Sequence, residues 1–138
     1  MNESADIADT PRHVAVYGSL RRGHGIMPRL VPEGRLRFTR CGRIRGVLYD
    51  LGSYPGLIDG GGNVVGEIYR IRTPDVLTVL DDYEDFDPEN PEESIFVRRA
   101  VPLIHPGLTA WVYFYNGPIA GYRKVPSGDW NAHKGIQA

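Results

Sequence analysis

Glycine and proline interrupt this sequence about once every five residues, with 17 glycines and 11 prolines among 138 residues. A typical background is roughly one in eight. Proline removes a backbone donor and glycine loosens the chain, so long uninterrupted helices are disfavoured over most of the length. The two residues follow no fixed period, which excludes a collagen-like fibre. A hydrophobic content of 41% and a net charge of −1 exclude wholesale disorder. The length suits one domain able to bury roughly two-thirds of its surface without staples. A turn-rich, mainly β domain of many short strands is expected.

The single cysteine, Cys41, has no internal partner, which fits a reducing compartment. No run approaches 18 apolar residues, and the acidic start Met1-Asn2-Glu3-Ser4-Ala5-Asp6 is no secretory signal. Cytoplasm is the expected location, and no membrane partner is expected. Arginines crowd one stretch, at 35, 37, 40, 43 and 45. The pairs Arg35/Arg37 and Arg43/Arg45 flank Leu36 and Ile44, a period of two that marks the solvent face of a strand. With charge nearly balanced and no interleaved aromatics, a nucleic-acid partner is not expected.

Residues 1–12 are polar and aperiodic and read as a flexible tail, leaving 13–138 as one domain. Val14-Ala15-Val16-Tyr17 reads as a buried first strand, and Arg21 to Gly34 as mostly loop with one helical turn. Strands are expected over Arg43 to Leu51 and Asn63 to Ile71, separated by Ser53-Tyr54-Pro55-Gly56-Leu57 and a Gly60-Gly61-Gly62 turn. Thr73 is the expected N-cap of a helix with Pro74 at its first position and Val76, Leu77, Val79, Leu80 and Tyr83 on one face. The prolines at 88 and 91 end it. Ile95 to Ile104 and Thr109 to Tyr115 form a predicted hairpin, and the chain beyond Gly117 reads as irregular, anchored by Trp130. The sum is an α+β, mainly β fold: a small mixed β-barrel with a few flanking helices.

On the predicted helix, Asp81, Asp82 and Asp85 fall on the wet side, whereas Glu84 projects from the edge of the apolar face. Desolvation there raises a carboxyl pKa toward what a general acid/base needs. The same glutamate can instead bend to solvent or meet Arg98. Directly after the first strand, Tyr17-Gly18-Ser19-Leu20 either offers backbone N–H groups to an anion or simply ends the strand. His13, His24, His105 and His133 show no metal-ligand spacing, and Ser19 with His24 lacks a third orienting group. Glu67 invites a two-carboxylate site with Glu84, against the plainer reading of a surface glutamate.

Together these motifs resemble the gamma-glutamylcyclotransferase-like family, especially its gamma-glutamylamine cyclotransferase branch. The resemblance is carried by Val16-Tyr17-Gly18-Ser19-Leu20, Gly46 to Gly52 with Tyr54-Pro55, Val65 to Tyr69, Leu80 to Glu84, Phe96-Val97-Arg98, Ala110 to Tyr113 and Ser127 to Trp130. It implies a compact barrel with flanking helices and a cavity at one end. It further implies that the loop Tyr17, Gly18, Ser19, Leu20 binds a small gamma-glutamyl substrate, with Tyr122 as a further pocket tyrosine. Glu84 would be the acid/base of a reaction that releases 5-oxoproline and needs no cofactor or metal. Phe96 stands where many relatives carry tyrosine. A binding module without turnover, or an enzyme removing a gamma-glutamyl protecting group from an intermediate, is the alternative within the same resemblance.

Overall fold

The computed structural model describes residues 10–137, so the expected tail over 1–12 lies outside the described residues up to position 9. From position 12 the chain already joins the sheet, since the Ile71 N–H donates to the Arg12 carbonyl at 2.8 Å. Six strands form one curled sheet in the order β4-β5-β1-β3-β2-β6. They are β1 (His13–Val16), β2 (Leu36–Asp50), β3 (Pro55–Ile71), β4 (Phe96–Pro102), β5 (Thr109–Tyr115) and β6 (Arg123–Lys124). β1 runs parallel to β5 and antiparallel to β3, so the sheet is mixed. Three helices flank it: α1 (Met27–Leu30), α2 (Val76–Tyr83) and α3 (Trp130–Lys134). This is a mainly β half-barrel. Among the described residues no helix is long and apolar enough to cross a membrane.

Alternation along β1 explains its central place. Val14 and Val16 pack on one side of the sheet with Leu20, Met27, Val76 and Leu80, beneath α1 and α2. Ala15 and Tyr17 face the other side, the barrel interior, with Ile44, Leu48, Ile68, Val112 and Trp130. A strand buried on both faces reads as a continuous apolar run, as this one does.

The glycines act differently from expectation. β2 and β3 are 15 and 17 residues long, not short strands. Gly60-Gly61-Gly62 is no turn; the chain reverses at the Leu51–Tyr54 corner, where the Leu51 N–H donates to the Tyr54 carbonyl at 3.0 Å. Arg45 pairs with Asn63 and Val47 with Ile58, so Asp59 to Gly62 bulge out opposite Gly46 alone. A Cβ on Gly62 would stand 2.4 Å from the Gly46 carbonyl oxygen. Bulges of this kind bend a strand and tighten its twist, which curls the sheet. Curling brings the β4–β5 turn back onto β2: the Arg43 N–H donates to the His105 carbonyl at 2.7 Å and the Ile104 N–H to the Arg43 carbonyl at 3.0 Å.

The arginines of β2 behave as their spacing predicts, with Arg37, Arg43 and Arg45 exposed and Ile44 buried between the last two. Helix α2 starts later than expected. Its N-cap is Asp75, and the Thr73 hydroxyl is buried without a hydrogen-bond partner. It also ends earlier, in a C-terminal motif rather than at proline. The Phe86 N–H donates to the Asp81 carbonyl at 2.9 Å and the Asp85 N–H to the Asp82 carbonyl at 3.3 Å, while Asp85 is left-handed at φ 56°. That is the Schellman arrangement with aspartate at the position glycine usually fills. The chain past Gly117 is less irregular than expected: Asp129 caps α3 by accepting from the Ala132 N–H, and Gly135 ends it at φ 69°.

Candidate active site

Where β1 ends, the chain turns across the mouth of a cleft of about 130 Å³. Its walls come from the Tyr17–Leu20 loop, Tyr54 and Pro55 at the start of β3, the last turn of α2 with Tyr83, Glu84 and Asp85, the start of β4 at Ile95 and Phe96, and Tyr113 of β5. Five stretches separated in sequence therefore meet around one carboxyl group.

The loop is held in shape by its own bonds and by packing. The Arg21 N–H donates to the Gly18 carbonyl at 3.0 Å, closing a turn. Within that turn the N–H groups of Ser19 and Leu20 have no protein acceptor among the described residues. Gly18 is required by close approach rather than by backbone angle, because a Cβ there would stand 2.7 Å from Cγ of Pro55. The Tyr17 hydroxyl donates to the Tyr113 carbonyl at 2.7 Å and accepts from the Leu57 N–H at 3.3 Å. Tyr17 thus supplies a wall, with its polar end spent on the scaffold. The Leu20 side chain packs beneath α1 and α2, so what it brings to the cleft is backbone. Ser19 Oγ and the Tyr83 hydroxyl share a hydrogen bond of 2.9 Å that ties the loop to the helix end.

Glu84 caps α2, its N–H bonded to the Leu80 carbonyl at 2.9 Å. Its half-buried carboxyl has no hydrogen-bond or ion-pair partner among the described residues. The pairing with Arg98 does not occur. Arg98 instead donates through Nε to Asp81 Oδ1 at 2.8 Å and through Nη2 to Oδ2 at 3.1 Å, and the Tyr113 hydroxyl donates to Oδ1 at 2.7 Å. Asp81, expected on the wet side, is buried at this junction of α2, β4 and β5. With Arg98 so occupied, burial first and the neighbouring Asp85 charge second raise Glu84 from 4.5 to about 7. Burial, then the charge of Glu84, also raises the Tyr17 hydroxyl above its ordinary value.

Tyr122 does not line this cleft. It sits in a turn closed by its N–H and the Ile119 carbonyl at 3.1 Å, and borders a separate depression with Asp50, Leu51 and Gly52. Ser19 and His24 do not pair either, because His24 Nε2 bonds to Asn131 Oδ1 at 2.8 Å. Glu67 is neither a surface residue nor a second carboxylate of the site. It is fully buried, accepting from Arg21 Nε at 3.0 Å, the Arg22 N–H at 2.9 Å and Arg22 Nε at 3.3 Å. Arg21 Nη1 reaches on to Asp129 Oδ1 at 2.8 Å. This ion cluster pins the segment after Leu20 to β3 and to the cap of α3. A sequence signal for it existed: Glu67 shares strand parity with Tyr69, whose ring is buried.

The curled half-barrel thus sets one unpaired carboxyl facing a loop of free backbone donors. The profile described as "Gamma-glutamyl cyclotransferase, AIG2-like" matches residues 14–132. The chain belongs to that family. It is 32% identical over 117 residues to the gamma-glutamylcyclotransferase family protein YtfP of Escherichia coli K12, covering 85% of this chain and 94% of the relative. Among solved structures, a uropathogenic E. coli-specific protein superposes with TM-score 0.71 at 22% identity, covering 94% of this chain and 99% of that one, a likeness of fold. A mouse AIG2-like protein superposes with TM-score 0.62 at 26% identity, covering 78% and 79%.

Proposed function

We propose that this protein is a cyclotransferase that cleaves a gamma-glutamyl amine or amide to 5-oxoproline and the free amine. The observation that carries the reading is Glu84: a half-buried carboxyl without a partner, raised to about 7, facing the Tyr17–Leu20 loop across one cleft. Family membership supports the substrate's gamma-glutamyl half.

The reaction needs what such a group supplies. The substrate's α-amine attacks its own γ-carbonyl carbon, forming the ring C–N bond. The bond to the leaving nitrogen then breaks, and no water is consumed. The attacking nitrogen arrives as an ammonium and sheds two protons on becoming the lactam N–H: one goes to solvent before attack, and Glu84 as carboxylate takes the other as the ring C–N bond forms. The leaving nitrogen departs poorly as an anion, so Glu84 as acid returns one. A carboxyl poised near neutral pH does both in turn. The nucleophile is already tethered, so holding the folded conformer supplies much of the acceleration. The free N–H groups of Ser19 and Leu20 suit the substrate carboxylate or the developing oxyanion.

The test is to incubate the protein with a panel of gamma-glutamyl amides and follow 5-oxoproline and free amine, expected in equal amounts. Glu84→Gln is expected to lower kcat by roughly 10²–10⁴. Ligand binding with no release across the panel would favour a binding module of the same fold. Release of glutamate in place of 5-oxoproline would refute cyclisation.

A further inference from the structure

β1, β3 and β2 are neighbours in the sheet, and at one end they set basic side chains in a row. Arg70 of β3 is the register partner of both His13 on β1 and Arg37 on β2. Register partners put their side chains on one face, and like charges placed so cost stability. Arg72, just past the end of β3, joins them. His13, Arg37, Arg70 and Arg72, with Phe38 and Thr39, line a depression of about 550 Å³ that no acidic residue lines. It lies by the first residue of β1, whereas the candidate active site opens where β1 ends, and the two share no lining residue.

Elsewhere in the fold arginine is met by acid. Arg21 and Arg22 pair with Glu67, Arg35 with Asp75, Arg98 with Asp81 and Arg99 with Asp59. The side chains of Arg37, Arg70 and Arg72 have no hydrogen-bond or ion-pair partner among the described residues. The chain as a whole carries a net charge of −1, so these cations are gathered at one place rather than merely abundant. Burial first and the Arg70 charge second hold His13 below its ordinary value. A repulsive row of this kind, left open in a concave surface, is satisfied by an anion from outside.

We infer that the depression lined by His13, Arg37, Arg70 and Arg72 is a second ligand site, for a compact anion bearing two or more phosphate groups. Guanidinium forks match phosphate oxygens in pairs, and three of them with an imidazole offer more donors than one phosphate can use. The depression also has room for more than one phosphate group. A nucleic-acid strand is served less well. Phe38, the aromatic residue at the depression, has the Arg22 guanidinium 3.9 Å above its ring and Tyr69 against it at 5.6 Å between centroids. Its ring is thus engaged within the protein and is no platform for a base. The Thr39 hydroxyl is likewise spent, donating to the Ile68 carbonyl at 2.9 Å, so recognition rests on charge and guanidinium geometry.

The probes are inorganic phosphate, pyrophosphate and tripolyphosphate, titrated into the full chain by calorimetry, with the histidine ring signals followed by NMR. Affinity is expected to rise along that series and to fall steeply as salt is added. Arg70→Gln and Arg37→Gln should each weaken tripolyphosphate at least about tenfold. Both should keep the ligand-free Tm, since each removes a repulsion. Arg45→Gln makes the same charge change at an exposed position of β2 that does not line the depression, and should hold affinity within about twofold. Tripolyphosphate should also raise the His13 midpoint, because an adjacent anion favours the imidazolium. No saturable binding of tripolyphosphate, equal losses in Arg70→Gln and Arg45→Gln, or an unmoved His13 midpoint would overturn the site. Tighter binding of a short single-stranded DNA or of phosphatidylglycerol vesicles, lost in Arg70→Gln, would overturn the compact ligand in favour of a nucleic-acid or membrane surface.

Discussion

Single residues decide whether the cleft holds a usable carboxyl. Glu84 was legible because helix periodicity alone places it at the edge of the apolar face. Its lack of a partner was not, because that depends on Arg98 turning to Asp81, and both reach one another only through tertiary packing. Asp81 was misplaced for the same reason: a helical wheel marks it as wet, while Tyr113 and Arg98 arrive from other strands to satisfy it. Asp85 adds the local charge and closes the helix in a left-handed conformation that asparagine also tolerates. Asp85→Asn should therefore keep the fold and shift the Glu84 midpoint downward, read by carboxyl ¹³C titration. A midpoint that stays at the wild-type value would mean burial alone sets it.

At the scale of elements, the site is a loop and a helix end held at fixed separation. The loop is fixed by Gly18 against Pro55 and by the cluster of Glu67 with Arg21, Arg22 and Asp129. Removing one member of a buried ion cluster leaves its partners uncompensated, at a cost of roughly 3–5 kcal/mol. Glu67→Gln should lower the unfolding free energy by an amount of that order in denaturant titration. In the folded fraction it should lower kcat/KM by loosening the Ser19 and Leu20 donors, while the Glu84 midpoint holds. Unchanged kcat/KM would make the cluster a structural staple only. β1, the α2 helix and the β4–β5 hairpin were readable from period and turn signals, as were the parts of β2 and β3 from Arg43 and from Asn63 onward, whereas β6 was not. The β2–β3 corner at Leu51–Tyr54 overlaps the expected break at Ser53 to Leu57, but the bulge was not legible, because three consecutive glycines look the same in a turn and in a bulge, and only the cross-strand register tells them apart.

For the whole molecule, the order of strands is the part that local pattern could not supply. β1 is placed at the centre by pairing with β3 and β5, which lie far along the chain, and that placement delivers the Tyr17–Leu20 loop to α2. The fold also has to carry a carboxyl that resists ionisation. Glu84 keeps its proton to about 7 when folded and loses it near 4.5 when unfolded. Between those values the native state binds more protons, so stability falls as pH rises, by up to about 3 kcal/mol. Glu84→Gln should flatten that slope in thermal or denaturant unfolding followed across pH 4 to 8. An identical slope in both proteins would show that Glu84 is not desolvated.

The central claim is that this one carboxyl performs the proton transfers, and the pH dependence of kcat/KM for 5-oxoproline release tests it most directly. With Glu84 acting first as base, the rate should climb with pH through a midpoint near 7, and Glu84→Gln should lose that midpoint along with roughly 10²–10⁴ of the rate. A Glu84→Gln enzyme that keeps both the wild-type rate and its pH profile would contradict the account.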